Sequence, residues 1–301
     1  MPQTDRIGSG PFMTQKTEQR IPFFKMTGTG NDFILIDNRE GLVDADHCQN
    51  LVRQACRHKL SVGADGMILI EPDPEVDFKW RFFNADASEA EMCGNGARCA
   101  ARFAYLTGIV AQPRMAFRTL AGIITAEVSG GRVKVQMTQP HSLQTGIHLD
   151  VNGRSFDLDF INTGVPHVVC FAADAQELES TDVAKWGQAL RFHPHFQPAG
   201  TNVNFVCVQD AHHVAVRTYE RGVEGETLAC GTGAIASSLI SAVRDRVVSP
   251  VEVQTRSGET LTIYFDRAGS TQRSDEIHFK EVYLEGEARG VYEADLWEET
   301  L

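Results

Sequence analysis

The chain has 301 residues, enough for two compact domains of ordinary size. Hydrophobic residues make up 42% of the sequence and charged residues 23%, a composition that excludes a largely disordered chain. The formal net charge of -12 argues against nucleic acid or a membrane surface as a partner, because both bind clustered Lys and Arg. No apolar run approaches the ~18 residues of a transmembrane helix.

Residues 1–20 are polar and lack the apolar core of a signal peptide. We therefore expect a flexible N-terminal arm and a cytoplasmic protein. The seven cysteines are an odd number, and no pair has the C-x-x-C spacing. This pattern favours neither a disulfide framework nor a zinc site, and we expect no metal.

Short apolar or alternating runs predict the strands of a mixed α/β protein. These runs cover residues 23–26, 33–37, 67–70, 78–83, 133–137, 203–208 and 214–219. Helical periodicity covers residues 48–58, 97–106 and 233–243. The second and third helices follow the Gly-rich turns CGNG and CGTG and are apolar on nearly all sides, which predicts that both are buried.

The two halves of the chain repeat one pattern. In each half a strand leads into a C-G-x-G turn and then a buried helix: WRFFNADASEAEM precedes CGNGA, and VRTYERGVEGETLA precedes CGTGA. We therefore predict an α/β fold of two pseudo-symmetric mixed α/β domains, each with strands wrapped around a central buried helix and with the active site in the interdomain cleft. The predicted first domain is 21–139, completed by 285–301, and the second is 140–284.

Cys93 and Cys230 hold the equivalent position, directly before the Gly-rich turn of each half. A single cysteine there is most simply a small buried hydrophobe. Two in matching positions predict two reactive sulfurs, because unpaired N–H groups at a helix N-terminus stabilise a thiolate and lower the thiol pKa.

Two opposed sulfurs suit inversion at a carbon atom. One sulfur, as thiolate, removes the α-proton of an amino acid from one face, and the other, as thiol, returns a proton to the opposite face. Both helix ends also aim N–H groups at the α-carboxylate, where carbanion charge accumulates. No pyridoxal phosphate or other cofactor is needed.

Five segments, in this order, resemble those of the diaminopimelate epimerase family: FFKMTGTGNDF, RFFNADASEAEMCGNGARC, TGVPH, GTNVNF and YERGVEGETLACGTG. The resemblance implies a cofactor-independent isomerase that interconverts LL- and meso-diaminopimelate, in lysine and peptidoglycan-precursor biosynthesis. It also implies two α/β domains, a small amino-acid substrate and a homodimer.

The resemblance assigns roles by motif match. Cys93 and Cys230 take the acid–base roles, and His167 and Glu220 support proton transfer. The residues that match substrate-binding positions are Asn31, Asn84, Gly94, Asn95, Asn202, Glu220, Arg221, Gly231 and Thr232. A planar guanidinium is the natural partner of a second carboxylate, which favours Arg221 as the ligand of the distal end of the substrate.

Each of these residues also has a structural interpretation. The three asparagines are turn formers, Arg221 can form a surface ion pair with Glu220 beside it, and a lone histidine is more often structural than catalytic. Three positions depart from the family pattern: Ala87 replaces a usual glycine, Gly66 stands where some members have Gln, and Val165 stands where many have a substrate-binding Asn. Asn162 or Thr163 can supply the missing polar group.

Two other functions remain open from the sequence. One is a related racemase of another amino acid, such as histidine, that lacks the distal carboxylate. The other is an acyl-transfer enzyme that pairs Cys93 with His167, although it leaves the second C-G-x-G turn unexplained. An inactive binding protein is disfavoured because both cysteines are present.

Overall fold

The structure is a computed structural model that describes residues 20–269 and 277–297. The predicted N-terminal arm, except Arg20, lies outside the described residues, as do residues 298–301 of the segment expected to complete the first domain. No helix within the two described ranges is long and apolar enough to cross a bilayer.

Strands dominate the fold. They are β1 (Ile21–Gly28), β2 (Asn31–Asp37), β3 (Gly66–Glu71), β4 (Phe78–Asn84), β5 (Arg114–Thr119), β6 (Gly122–Ser129), β7 (Arg132–Gln136), β8 (His141–Val151), β9 (Arg154–Asn162), β10 (Pro166–Phe171), β11 (Asn202–Val208), β12 (His213–Glu220), β13 (Gly225–Thr227), β14 (Val251–Gln254), β15 (Thr260–Ala268), β16 (His278–Glu287) and β17 (Arg289–Leu296). The helices are α1 (Ala45–Ala55), α2 (Gly94–Leu106), α3 (Ala175–Ser180), α4 (Val183–Arg191) and α5 (Gly231–Val243), with a short 3₁₀ helix at Pro194–Phe196.

The strand pairing repeats between the two halves. In the first half the order is β17–β1–β2–β3–β4–β5–β6–β7, and only β2/β3 and β4/β5 pair in parallel. In the second half the order is β8–β9–β10–β11–β12–β14–β15–β16, and only β10/β11 and β12/β14 pair in parallel. The parallel pairs therefore occur at the same steps of both orders. An antiparallel pairing of β7 with β16 joins the halves.

The last strand returns to the beginning of the chain, because β17 pairs with β1. The predicted domain boundaries stay predictions, and the boundary at residue 284 falls inside β16.

One helix lies at the centre of each half. Helix α2 contacts β1, β2, β3, β6 and β7, whereas α5 contacts β9, β10, β11, β12, β14 and β15. Small residues such as Ala100, Ala104 and Ala236 let the strands approach both helices closely, and all three are buried in one hydrophobic cluster. The mixed α/β class with buried central helices is confirmed.

The predicted strands are all present, but the predicted helix limits shift. Helix α1 begins earlier than residue 48, because the Asp44 side chain accepts a hydrogen bond from the backbone N–H of His47 and so caps the helix. Helices α2 and α5 begin at Gly94 and Gly231, because the residues after each cysteine already adopt helical geometry and form the first helical turn.

Candidate active site

Both predicted cysteines are the N-cap residues of the central helices. Cys93 precedes α2 with φ -145° and ψ 115°, and its Sγ accepts a hydrogen bond from the backbone N–H of Gly96 at 3.3 Å. Cys230 precedes α5 with φ -127° and ψ 109°, and its Sγ lies 3.5 Å from Thr232 Oγ1. Cys93 is half-buried and Cys230 is 9% exposed. Each sulfur therefore lies at the positive end of a buried helix.

The two Gly-rich turns adjoin each other. A carbon added to Gly231 would lie 3.9 Å from Asn95 Oδ1 of the other turn. The two cysteines also share one electrostatic environment. Burial is the main cause that raises the pKa of both thiols, to about 12 for Cys230, and the Glu220 carboxylate raises both pKa values further. The expectation of lowered thiol pKa values is therefore wrong for this structure, because desolvation outweighs the helix N-terminus.

His167 is fully buried on β10 and is held on both ring nitrogens. Asn204 Nδ2 donates to His167 Nδ1 at 3.1 Å, so Nε2 carries the proton and donates to Thr232 Oγ1 at 3.0 Å. The Thr232 hydroxyl proton is then free to point at the Cys230 sulfur. His167 thus acts on Cys230 through a threonine, and it forms no hydrogen bond with Cys93, which removes the basis of the acyl-transfer alternative.

His167 is neutral in this setting. Burial, followed by the nearby Arg221 charge, lowers the pKa of His167 to about 3. A histidine with so low a pKa serves as a hydrogen-bond donor to Thr232 rather than as a general base at neutral pH.

Asn31 and Asn95 are joined directly. Asn95 Nδ2 donates to Asn31 Oδ1 at 2.8 Å, and Asn31 Nδ2 donates to Asp65 Oδ2 at 2.9 Å. Asn84 lies at the end of β4, opposite Gly66 in the strand register, and donates to Ser88 Oγ at 3.0 Å. The first half thus places Asn31 and Asn95 side by side at the α2 terminus, whereas Asn84 is exposed and engaged in its own turn.

In the second half, Asn202 is buried and its side chain forms hydrogen bonds with backbone groups. Its Nδ2 donates to the Pro166 carbonyl at 2.9 Å, and its Oδ1 accepts from the Arg221 N–H at 2.8 Å. The Arg221 side chain donates to the Ala199 carbonyl at 3.1 Å. Among the described residues no carboxylate lies within 4 Å of the Arg221 guanidinium, so the alternative interpretation of Arg221 as a surface ion pair with Glu220 is not supported. Burial raises the pKa of Glu220.

Asn204 and Arg98 belong to this site but were not predicted from the sequence. Asn204 orients His167, and it accepts a hydrogen bond from Thr218 Oγ1 at 3.0 Å. Thr163, named from the sequence as a possible source of the polar group missing at Val165, donates through Oγ1 to the Thr232 carbonyl at 3.0 Å and so ties the β9–β10 turn to the start of α5. Arg98 donates to Asn95. A usable signal existed for Asn204 and Arg98, since Asn204 follows Asn202 with the two-residue period of a strand face and Arg98 is, with Arg102, one of two charged residues in a helix rich in alanine.

The three departures from the family pattern have different structural consequences. Ala87 has φ +67°, so the alanine stands where glycine is favoured and its backbone is strained. A carbon added to Gly66 would lie 2.5 Å from the Phe83 carbonyl oxygen, so only glycine fits there. Val165 lies in the turn before His167, where Asn162 Oδ1 is already engaged by the N–H of Gly164 at 2.9 Å.

Comparison with known proteins points to one family. A family model described as diaminopimelate epimerase matches residues 23–143 and 160–277. The diaminopimelate epimerase of Aquifex aeolicus is 49% identical over 292 residues, covering 93% of this chain and 99% of that protein. The diaminopimelate epimerase of Hydrogenobaculum sp. is 45% identical over 282 residues, covering 90% and 97%.

Solved structures share the fold at low identity. A hydroxyproline epimerase from Agrobacterium vitis with bound trans-4-hydroxy-L-proline superposes with a TM-score of 0.67 at 15% identity and covers 93% of each chain. A Bacillus anthracis phenazine biosynthesis protein of the PhzF family gives a TM-score of 0.68 at 15% identity, covering 92% of this chain and 99% of that one. The sequence matches, on a fold with two cysteine-capped central helices, show that the chain belongs to the diaminopimelate epimerase family.

Proposed function

We propose that the protein interconverts LL- and meso-diaminopimelate by proton transfer at Cα between Cys93 and Cys230. Its family makes it an amino-acid epimerase, an isomerase. The observation that carries the mechanism is that both cysteines cap central helices whose Gly-rich turns adjoin, at matching steps of two similar halves.

The chemistry is a proton transfer in two parts. One sulfur, as thiolate, removes the α-hydrogen, so the Cα–H bond breaks, an S–H bond forms and the electron pair stays on Cα. The opposite thiol then gives its proton to the other face and becomes the thiolate. Atoms and electrons balance without an oxidant, a reductant or a cofactor.

The helix ends support the carbanion. The N–H groups of Gly94, Asn95, Gly231 and Thr232 are those of the first turns of α2 and α5, where an anion is favoured by unpaired donors and by the helix dipoles. We assign the substrate α-carboxylate to these turns. Donors held in place before the reaction stabilise the developing charge without reorganisation.

The remaining assigned residues bind the substrate or tune the sulfurs. We assign Arg221 to the distal carboxylate, because its guanidinium has no described carboxylate partner and a bidentate contact suits it. Asn31, Asn84 and Asn202 complete the proposed polar lining. Glu220 raises the pKa of Cys230 and so favours its thiol form, whereas Thr232, held by His167, can donate to its thiolate.

We propose further that the enzyme is a cytoplasmic homodimer. Strand β17 supports this proposal, because among the described strands it pairs only with β1 and leaves its outer edge open. Val291 and Tyr292 on that strand are 56% and 46% exposed. Light scattering should give twice the 33.2 kDa mass of the chain, and a monomer at micromolar concentration would contradict the proposal.

The test of the mechanism is α-hydrogen exchange in deuterated water, followed by proton NMR from each isomer separately. Cys230→Ser should abolish inversion, because a serine hydroxyl is a poor acid–base group at neutral pH. It should retain slow exchange with retention on the one face that Cys93 serves. Cys93→Ser should show the same behaviour with the other isomer. Inversion by Cys230→Ser at close to the wild-type rate would refute the two-thiol mechanism.

The substrate itself is tested separately. Turnover on a panel of amino acids distinguishes diaminopimelate from an amino acid without a distal carboxylate. Preference for such a smaller amino acid would favour the related racemase and leave the two-thiol chemistry intact.

A further inference from the structure

Arg98 is a fully buried guanidinium in helix α2. Its Nη2 donates to Thr29 Oγ1 and to Asn95 Oδ1, both at 2.8 Å. The other contacts, both at 3.4 Å, are to the carbonyls of Gly94 and Glu287. All four acceptors are neutral, and within the described ranges no carboxylate oxygen lies within 4 Å of this side chain.

A buried charge without a counter-ion is costly, so its retention calls for a negative group nearby. Burial lowers the pKa of Arg98 to about 10, which leaves it charged at neutral pH. The fold also makes room for it: a carbon added to Gly286 of β16 would lie 3.1 Å from Arg98 Nε.

Within the part of the chain that the structure describes, few groups are available to balance this charge. The titratable or charged side chains that act on Arg98 are Cys93, Cys99, Glu259 and Arg132. Glu259 Oε1 pairs with Arg289 at 3.4 Å, and neither oxygen of this carboxylate lies within 4 Å of the Arg98 guanidinium. Burial raises the pKa of Cys99 to about 12, which keeps it a thiol. Burial raises the pKa of Cys93 as well, but Cys93 differs from Cys99 in its position, because it is the N-cap of α2 and its Sγ accepts a hydrogen bond from the Gly96 N–H at 3.3 Å. Cys93 is therefore the remaining candidate for a negative charge, and the other charged group that acts on its sulfur, Glu220, opposes that charge.

The position in the second half that is equivalent to Arg98 carries no cation. Arg98 follows Cys93 by five residues, and the residue five positions after Cys230 is Ile235, which is also fully buried. The positive charge therefore distinguishes one sulfur from the other in an otherwise repeated arrangement.

We infer that Arg98 is a positioning residue that stabilises the Cys93 thiolate and holds Asn95 in place at the α-carboxylate turn. This inference rests on the proposed function. It assigns Cys93 an electrostatic partner in its own half, whereas Cys230 depends on the hydroxyl of Thr232.

The test is the rate at which Cys93 is alkylated by iodoacetamide as a function of pH, with the modified peptide quantified by mass spectrometry. Arg98→Gln should raise the midpoint of this profile by about 1 unit or more, the effect expected for loss of a nearby opposite charge. Arg102→Gln is the matched control, because Arg102 lies one turn further along α2 and donates to the Ala288 carbonyl. It should leave the midpoint at the wild-type value.

Arg98→Lys covers the case in which the glutamine variant does not fold. Lysine keeps the charge but loses the planar guanidinium with its several N–H donors, so the pH midpoint of Cys93 alkylation should stay near the wild-type value. KM should rise, because Asn95 loses the donor that holds it in place. An unchanged midpoint in Arg98→Gln, or a shift in Arg98→Lys as large as that expected for loss of the charge, overturns the inference. Alkylation needs no turnover, so this result is independent of the isotope-exchange test of the two-thiol mechanism.

Discussion

Replacing Thr232 by Val removes the hydroxyl that links His167 to Cys230 and keeps the shape of the side chain. That hydroxyl accepts from His167 Nε2 at 3.0 Å and lies 3.5 Å from Cys230 Sγ. A hydrogen bond to a charged group contributes about 1.5–3 kcal/mol, and one pKa unit corresponds to about 1.4 kcal/mol. Because the contact to sulfur is long, the lower end applies: the apparent pKa of the cysteine pair should rise by about 1 unit.

The assay is the pH dependence of kcat/KM for epimerisation, measured from both isomers. At neutral pH kcat/KM should fall about tenfold in both directions, because the enzyme cannot change the equilibrium constant of the reaction. Thr232→Ser keeps the hydroxyl and should behave like wild type. Thr232→Val also leaves His167 Nε2–H buried without an acceptor, so its free energy of unfolding in urea should fall by about 1–3 kcal/mol. A wild-type pH profile and rate for Thr232→Val would refute the link between the histidine and the sulfur.

Arg221→Lys should raise KM for diaminopimelate about tenfold, because an ammonium group cannot reproduce a bidentate carboxylate contact; steady-state kinetics with an unchanged KM would contradict the distal-carboxylate role. Burial lowers the pKa of His167 from 6.5 to about 3, so as pH falls the unfolded chain takes up a proton first and stability is lost. Between pH 6.5 and about 5 this loss is about 2 kcal/mol, and urea unfolding of His167→Gln should lack it. Gly233→Ala would place a carbon 2.4 Å from Asn204 Oδ1, whereas at Gly225 an added carbon meets nothing within 4 Å. Activity and stability should therefore drop in Gly233→Ala, by about 1–3 kcal/mol in unfolding free energy, and remain near wild type in Gly225→Ala; equal effects would refute the close packing.

Local sequence was sufficient for the elements that carry the site. The two C-G-x-G turns predicted both central helices and placed Cys93 and Cys230 at their N-termini, because capping and helix geometry depend on a few neighbouring residues. The turn occurs once in each half of the sequence, and this repetition predicted that the two halves have similar structures. Helix limits were less accurate, since Asp44 caps α1 through a contact that the apolar period does not reveal.

Tertiary structure alone decided the electrostatics and the closure of the first half. The thiol pKa values of Cys93 and Cys230 are raised rather than lowered, because burial by distant strands outweighs the helix ends. The return of β17 to β1 and the contact of Asn204 with His167 join residues far apart in the chain. Desolvation and long-range contacts depend on where the whole chain packs, and no short sequence pattern encodes that packing.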